Sequence, residues 1–125
     1  MDKEIKLLIL DDDIIDISLM KKGVLGCSYK TDIKATSSIQ DAFDILNSDS
    51  IDCLVLDYCM PSMNAPAFLE KMRKLGIVKP KVIILTSMPE SVISRTIESD
   101  QYAYSLNKSQ MVDSGVIDQI FQQIF

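Results

Sequence analysis

The chain alternates short, continuously apolar runs with longer segments in which apolar residues recur every three or four positions. Continuous runs of about four to eight apolar residues are typical of strands buried on both faces, as in a parallel sheet covered by helices. The clearest runs are residues 7–10, 53–56 and 82–85, and two weaker candidates are residues 29–35 and 102–106. The pattern therefore predicts five strands.

The segments between these runs have the spacing of amphipathic helices. The predicted helices span residues 14–25, 39–46, 66–75, 91–100 and 112–124. Asp13 is a suitable N-cap for the first helix, and Val112 begins the apolar stripe of the last. Strands and helices thus alternate as (βα)5, which predicts an α/β fold with a doubly wound, five-stranded parallel sheet. We expect residues 1–125 to form one domain.

Composition and charge narrow the classes of function. The net charge is −5, which disfavours binding to nucleic acid or to an anionic membrane. The chain contains no histidine, so these residues supply no histidine base, metal ligand or phosphohistidine. The cysteines Cys27, Cys53 and Cys59 lack metal-ligand spacing and indicate reduced thiols. With the charged N-terminus, they predict a cytoplasmic protein.

Polar residues follow four of the predicted strands at the point where each strand ends. They are Asp11, Asp12, Asp57, Thr86 and Lys108. The carboxyl ends of parallel strands meet at one edge of the sheet, where ligands of such folds bind. Three aspartates at this edge repel one another, and a hard divalent cation such as Mg²⁺ relieves the repulsion. An aspartate can also attack phosphorus, so the chemistry indicated is phosphoryl transfer onto Asp57.

Four motifs built on these residues resemble those of response regulator receiver domains, the phosphoacceptor domains of two-component signalling. The motifs are Leu8-Ile9-Leu10-Asp11-Asp12, Asp57-Tyr58-Cys59-Met60-Pro61, Ile84-Leu85-Thr86-Ser87 and Leu106-Asn107-Lys108. The resemblance covers essentially the whole chain and implies a flavodoxin-like sheet with strand order 2-1-3-4-5. It also implies a domain that catalyses only its own phosphorylation and dephosphorylation.

The resemblance assigns a role to each site residue. It implies that Asp57 is the phosphoacceptor and that Asp12 and Asp57 ligate Mg²⁺, for which Mn²⁺ can substitute. Asp11 would act mainly through water, and the backbone carbonyl of Cys59 would be a further ligand. The family's phosphoryl oxygens contact the residues equivalent to Thr86 and Lys108. The implied donor is a phosphohistidine on a sensor histidine kinase or phosphotransfer protein, and the implied output is binding to a downstream protein.

Three positions depart from the usual pattern of the family. Ala65 replaces a glycine after the Met-Pro turn, so we expect a different or strained loop there. Ser109 replaces the proline that usually follows the lysine, so the next loop should also differ. Ser105 occupies the position of the switch aromatic, and Tyr104 is one residue out of register and should face the other side of the sheet. We therefore expect Thr86 to sense phosphorylation through a different readout surface.

Two alternatives to a stand-alone response regulator stay open at this point. The three departures are compatible with a pseudo-receiver, a protein-interaction module that is never phosphorylated. The run Asp11-Asp12-Asp13, with the 82–86 segment, also resembles motifs of haloacid-dehalogenase-like phosphatases. The chain is short for the fold of those phosphatases. In addition, the motif at Asp57 has no role in that family. The initiating Met and the final helix favour a complete protein.

Overall fold

Five parallel strands and five helices alternate along the chain in the computed structural model, which describes residues 3–125. The strands are β1 (Ile5–Leu10), β2 (Thr31–Thr36), β3 (Cys53–Asp57), β4 (Lys81–Thr86) and β5 (Tyr104–Asn107). The helices are α1 (Ile14–Leu25), α2 (Ile39–Ser48), α3 (Ala65–Lys74), α4 (Glu90–Thr96) and α5 (Ser114–Ile124). No helix among these residues is long and apolar enough to cross a membrane.

The strands form one sheet in the order β2-β1-β3-β4-β5, and every neighbouring pair is parallel. This confirms the predicted α/β class, the doubly wound sheet and the strand order. Successive side chains of the central strands alternate between two apolar clusters, one on each face of the sheet. One cluster packs against α2, α3 and α4, and the other against α1 and α5. Both faces of the sheet are therefore buried, as the continuous apolar runs indicate.

Polar side chains that accept backbone hydrogen bonds begin four of the helices. Asp13 caps α1 by accepting a hydrogen bond from the Ile15 N–H at 2.8 Å, which confirms the predicted N-cap. Ser38, Asn64 and Asp113 cap α2, α3 and α5 in the same way. Each cap satisfies backbone donors that have no partner within the helix. The loops that enter these helices are thereby fixed in position.

The structure corrects three predicted boundaries. The fourth helix ends at Thr96 rather than at residue 100, because Ile97 turns into the apolar core, where only 2% of it is exposed. Val112 lies before α5 rather than in its apolar stripe, and 45% of it is exposed, because Asp113 caps the helix. The second strand begins at Thr31, and Tyr29 instead packs edge-on against Phe121 with ring centroids 5.5 Å apart.

A close approach at Gly23 holds α1 against the turn between β5 and α5. A methyl group on Gly23 would lie 2.0 Å from the carbonyl oxygen of Met111. The Ser114 hydroxyl donates a hydrogen bond to the Gly23 carbonyl at 2.8 Å, which ties the same two segments together. The turn held in this way is the one that follows Lys108. Gly23 therefore helps to position a site residue from the last turn of α1.

We predict that Gly23→Ala lowers the free energy of unfolding by about 2 kcal/mol or more, because the methyl group overlaps backbone that cannot move aside cheaply. Alanine otherwise favours a helix by about 1 kcal/mol over glycine, so a stabilised variant would contradict the close approach. Gly115→Ala in α5 is the matched control, since its methyl group would be 3.3 Å from the nearest atom, Asp113 Oδ1. Urea denaturation measures both variants.

Candidate functional site

The register of the central strands brings three carboxylates together. Leu10 of β1 pairs with Leu56 of β3, and Asp11 and Asp57 are the next residues along these two adjacent segments. One carboxylate oxygen from each of Asp11, Asp12 and Asp57 lies within 4.8 Å of the others. Asp11 is fully buried and only 2% of Asp57 is exposed, whereas Asp12 is exposed. The predicted acidic cluster therefore exists, with two of its three members out of water.

The hydrogen bonds of Asp11 leave one of its oxygens available for a ligand. Asp11 Oδ1 accepts the N–H of Asp13 at 2.9 Å. Asp11 Oδ2 is buried and accepts no hydrogen bond within the described residues. Buried carboxylate oxygens normally have a partner, and oxygen-rich clusters of this kind suit Mg²⁺ or Mn²⁺. The donor set and the orphaned oxygen thus fit a hard divalent cation.

Lys108 supplies the positive charge at the cluster. Its Nζ lies 3.3 Å from Asp57 Oδ1 and 3.8 Å from Asp11 Oδ2. Its shortest contact is a 2.6 Å hydrogen bond to Asp16 Oδ2, which lies in the first turn of α1. Asp16 does not follow a strand, so the strand-end pattern in the sequence does not indicate it. Asp16 holds the lysine from α1.

The environment raises the pKa values of Asp57, Asp11 and Lys108, for different physical reasons. Burial, followed by the charge of Asp11, raises the pKa of Asp57 to about 7, although Lys108 opposes the shift. Burial also raises the pKa of Asp11, while the Asp13 N–H and Lys108 oppose it. Burial disfavours the ammonium of Lys108, but the hydrogen bond that it donates to Asp16 and the charges of Asp57 and Asp11 outweigh this effect and raise the pKa of Lys108. Lys108 is therefore a permanent cation beside carboxylates that are hard to ionise.

Thr86 lies at the end of β4 on the same edge. Only 3% of it is exposed, and its Oγ1 accepts the N–H of Met88 at 2.9 Å. This bond leaves the hydroxyl hydrogen free to donate to a ligand oxygen. Thr86 thus joins the loop between β4 and α4 directly to the site.

The surface beside Thr86 is built around Glu90, the first residue of α4. The Glu90 carboxylate accepts hydrogen bonds from the hydroxyl groups of Ser105 and Tyr102, the latter at 3.2 Å. Tyr104 packs instead against the cluster of α1 and α5, which confirms that it faces the other side of the sheet. Ser105 therefore links β5 to α4 through a carboxylate, where the family usually has an aromatic ring.

The loops at the two other departures take ordinary conformations. Ala65 begins α3 and is fully buried, and no non-glycine residue from 3 to 125 has a positive φ, so the expected strain at Ala65 is wrong. Residues Lys108–Gln110 form a short 3-10 turn, in which the Ser109 N–H donates to Asn107 Oδ1 at 2.9 Å. A proline at 109 would lack that donor. Cys59 is exposed in the loop after Asp57.

Comparison with solved structures defines the fold family. The chain superimposes on chemotaxis protein CheY4 of Vibrio cholerae with a TM-score of 0.82 at 15% identity, covering 98% of this chain and 100% of that one. The Francisella response regulator 1452 receiver domain gives a TM-score of 0.76 at 22% identity, with 94% of each chain covered. At these identities the likeness establishes the fold, which is the CheY-like flavodoxin fold.

The sequence itself establishes the family. Residues 7–116 match the model of the response regulator receiver domain. The chain therefore belongs to the response regulator receiver domain family, which confirms the resemblance found in its motifs. This assignment displaces the haloacid-dehalogenase-like alternative, since Asp13 of the Asp-x-Asp spacing is occupied in capping α1.

Curated relatives of the chain are longer two-component proteins. The sensor histidine kinase RcsC of Salmonella typhimurium is 29% identical over 98 residues, which are 77% of this chain and 10% of the kinase. The two-component response regulator EHD1 of Oryza sativa subsp. indica is 24% identical over 124 residues, or 97% of this chain and 34% of that protein. The chain thus spans about a tenth to a third of these relatives.

We predict that Asp57→Asn raises the free energy of unfolding at about pH 8, in the presence of a chelator, by more than about 1 kcal/mol. The folded-state pKa of about 7 lies above the unfolded value of about 3.9, so the folded protein binds an extra proton between them. The stabilisation from that proton is complete at low pH and is lost as the pH rises through about 7.

The advantage of the Asp57→Asn variant should accordingly disappear on acidification to about pH 4. Asp100→Asn is the matched control, because Asp100 is exposed and its side chain makes no hydrogen bond or ion pair with the described residues. Urea denaturation across this pH range measures all three proteins. If Asp57→Asn is less stable than the parent protein at about pH 8, the surroundings of Asp57 do not destabilise its ionised carboxylate.

Proposed function

We propose that residues 1–125 form a receiver domain that accepts a phosphoryl group from a phosphohistidine onto Asp57 and signals by phosphorylation-dependent protein binding. The observation that supports this most directly is the buried Asp57 carboxylate, placed beside two further carboxylates and 3.3 Å from the Lys108 ammonium. An aspartate that only caps a helix or forms a turn does not require burial beside two carboxylates and an ammonium. The domain acts on itself and turns over no separate substrate.

The proposed transfer is a single displacement at phosphorus. One Asp57 oxygen forms a bond to phosphorus as the phosphorus–nitrogen bond to the donor imidazole breaks, and the electron pair of that bond returns to the imidazole nitrogen. Lys108 balances the charge of the phosphoryl oxygens, and the Thr86 hydroxyl donates a hydrogen bond to one of them. Asp11, Asp12, Asp57 and the Cys59 carbonyl would hold Mg²⁺, which supplies charge neutralisation for the phosphoryl group.

The partners follow from the chemistry that this chain lacks. No histidine occurs in the sequence, so the phosphorylated imidazole belongs to residues outside it, on a sensor histidine kinase or a phosphotransfer protein. Histidine kinase RcsC is among the relatives of the chain. We propose a cytoplasmic domain whose downstream target is another protein rather than nucleic acid or a membrane.

We predict that acetyl phosphate with Mg²⁺ adds one phosphoryl group per chain and that Asp57→Asn abolishes the addition. Lys108→Ala should slow the reaction by about tenfold or more, because it removes the charge that stabilises the transferring group. Intact-mass spectrometry measures the modification, and Asp100→Asn is a control that should be modified normally. Absence of any labelling or beryllofluoride response in the folded parent protein would support the pseudo-receiver and overturn the proposal.

The phosphorylation signal leaves the site, in this proposal, through Thr86 and Glu90. Rotation of the whole Thr86 side chain towards a phosphoryl oxygen would move its Oγ1 away from the Met88 N–H. The loop from 87 to 89 must then find new hydrogen bonds, and Glu90 follows it directly. The bonds from Ser105 and Tyr102 to Glu90 are the contacts that such a movement would break.

We predict that beryllofluoride with Mg²⁺ changes the amide resonances of residues 86–90 and 102–105 together. Glu90→Ala should change the resonances of 102–105 before activation and remove most of the further change there, while the response around Asp57 persists. Glu98→Ala is the matched control, since the Glu98 side chain is exposed and makes no hydrogen bond with the described residues. Inward rotation of Tyr104 on activation, with Glu90 still bonded to Ser105, would contradict this route.

A further inference from the structure

A dense group of positive charges interrupts this acidic protein between the third helix and the fourth strand. Residues 71–81 contain five basic side chains and no acidic one, whereas the whole chain has a net charge of −5. We call this group the basic ridge, and its members are Lys71, Arg73, Lys74, Lys79 and Lys81. All five side chains are exposed. Nearly two fifths of the chain's basic residues thus occupy about a tenth of its length.

The intramolecular contacts leave most of this charge unbalanced. Arg73 pairs with Glu70 at 2.5 Å. Lys71 lies over the ring of Phe43, 4.9 Å from its centroid, and Lys79 donates a hydrogen bond to the hydroxyl of Ser50. Within residues 3–125, none of the four lysines of the ridge forms an ion pair with a carboxylate. The ridge is therefore a cationic surface that the fold itself does not neutralise.

Apolar side chains stand exposed among these charges. Val78 is 81% exposed and Leu75 is 50% exposed. Gly76 has a φ of +75°, a conformation that glycine adopts without strain, and it makes the turn that separates them. Val78 lies between two clefts, one also lined by Leu69 and Met72 and the other by residues including Leu46 and Ile51. The surface thus offers concave apolar contacts beside the basic residues of the ridge, with one carboxylate in each cleft, Asp100 in the first and Asp49 in the second.

The ridge lies at the opposite edge of the sheet from Asp57. Helix α3 begins at Ala65, shortly after the loop that follows Asp57, and Lys71, Arg73 and Lys74 lie about 9 to 14 Å further along its axis. Lys81 opens β4, whose other end is Thr86. A partner bound at the ridge would therefore leave the carboxylate cluster accessible.

We propose that the basic ridge, with Leu75 and Val78, is a phosphorylation-independent docking surface for an acidic partner segment that also presents leucine-like side chains. Charge complementarity identifies the acidic component, and the clefts beside Val78 identify the apolar one. A bilayer surface is flat and makes no use of paired clefts. Sites for single-stranded nucleic acid generally add aromatic side chains on which the bases stack, and the ridge contains none.

The test measures binding of a short fluorescein-labelled peptide of glutamate and leucine to the full chain by fluorescence anisotropy and amide shifts. The expected result is saturable binding, with shifts centred on residues 71–81, that Lys74→Glu with Lys79→Glu weakens at least about tenfold. Val78→Ser should weaken it several-fold. Lys21→Glu with Lys22→Glu is the matched control, because it makes the same change of charge at exposed positions of α1 and should leave the affinity within about twofold.

Four outcomes would overturn the proposal. Equal binding of a peptide with serine in place of leucine would show ion exchange rather than docking. Binding of phosphatidylserine vesicles or duplex DNA in place of the peptide would assign the ridge to another partner, and self-association abolished by the ridge variants would assign it to a second copy. Absence of saturable peptide binding would show that the ridge is not a docking surface for such a segment. Peptide affinity is measured on Asp57→Asn as well, so failure here is distinguishable from failure of phosphorylation.

Discussion

The concentration of negative charge at the carboxyl edge of the sheet is the constraint on which the rest of the site depends. Two of the three carboxylates are buried, and one buried oxygen, Asp11 Oδ2, accepts no hydrogen bond from the described residues. Such an arrangement raises carboxylate pKa values and lowers stability unless a cation compensates. Lys108 provides part of that compensation, at 3.3 Å from Asp57. The rest of the negative charge stays uncompensated until a cationic ligand binds. The site therefore lowers the stability of the ligand-free protein.

The position of Lys108 depends in turn on packing far from the carboxylates. Asp16 holds the ammonium from α1, and the turn after Lys108 is pressed against the same helix at Gly23. A cation on a flexible side chain would otherwise lie at varied distances from Asp57. The contact between α1 and the segment before α5 therefore belongs to the chemistry as much as to the core. This explains how a glycine in the last turn of a helix can matter to an ion pair.

The sequence was sufficient to predict the parts of the molecule that follow from periodicity and from strand ends. Continuous apolar runs indicate strands buried on both faces, and the polar residue that ends each run must lie at the shared edge, so Asp11, Asp57, Thr86 and Lys108 were found without coordinates. Asp16 and Glu90 were not, because each acts through a partner about 90 or 15 residues away that only the folded chain brings near. Val112 was misplaced because a cap at Asp113 overrides an apolar spacing that fits a helix two residues longer.

The two edges of the sheet differ in what the fold does with charge. At the carboxyl edge, opposite charges are gathered into contacts of 2.6 to 3.8 Å, and the unmatched component is a buried acid. At the amino edge, the lysines of the basic ridge stay solvated and separate, and the unmatched component is a cationic surface. Solvated charges cost the fold little, whereas buried ones cost several kcal/mol when unpaired. Unmatched charge that is buried favours a small, hard ligand such as a metal ion or a phosphoryl group. Unmatched charge that is solvated and spread among exposed apolar residues favours a larger ligand, such as a protein segment. The same chain can therefore respond to a small ion at one edge and hold a protein segment at the other, because the two surfaces share no residue.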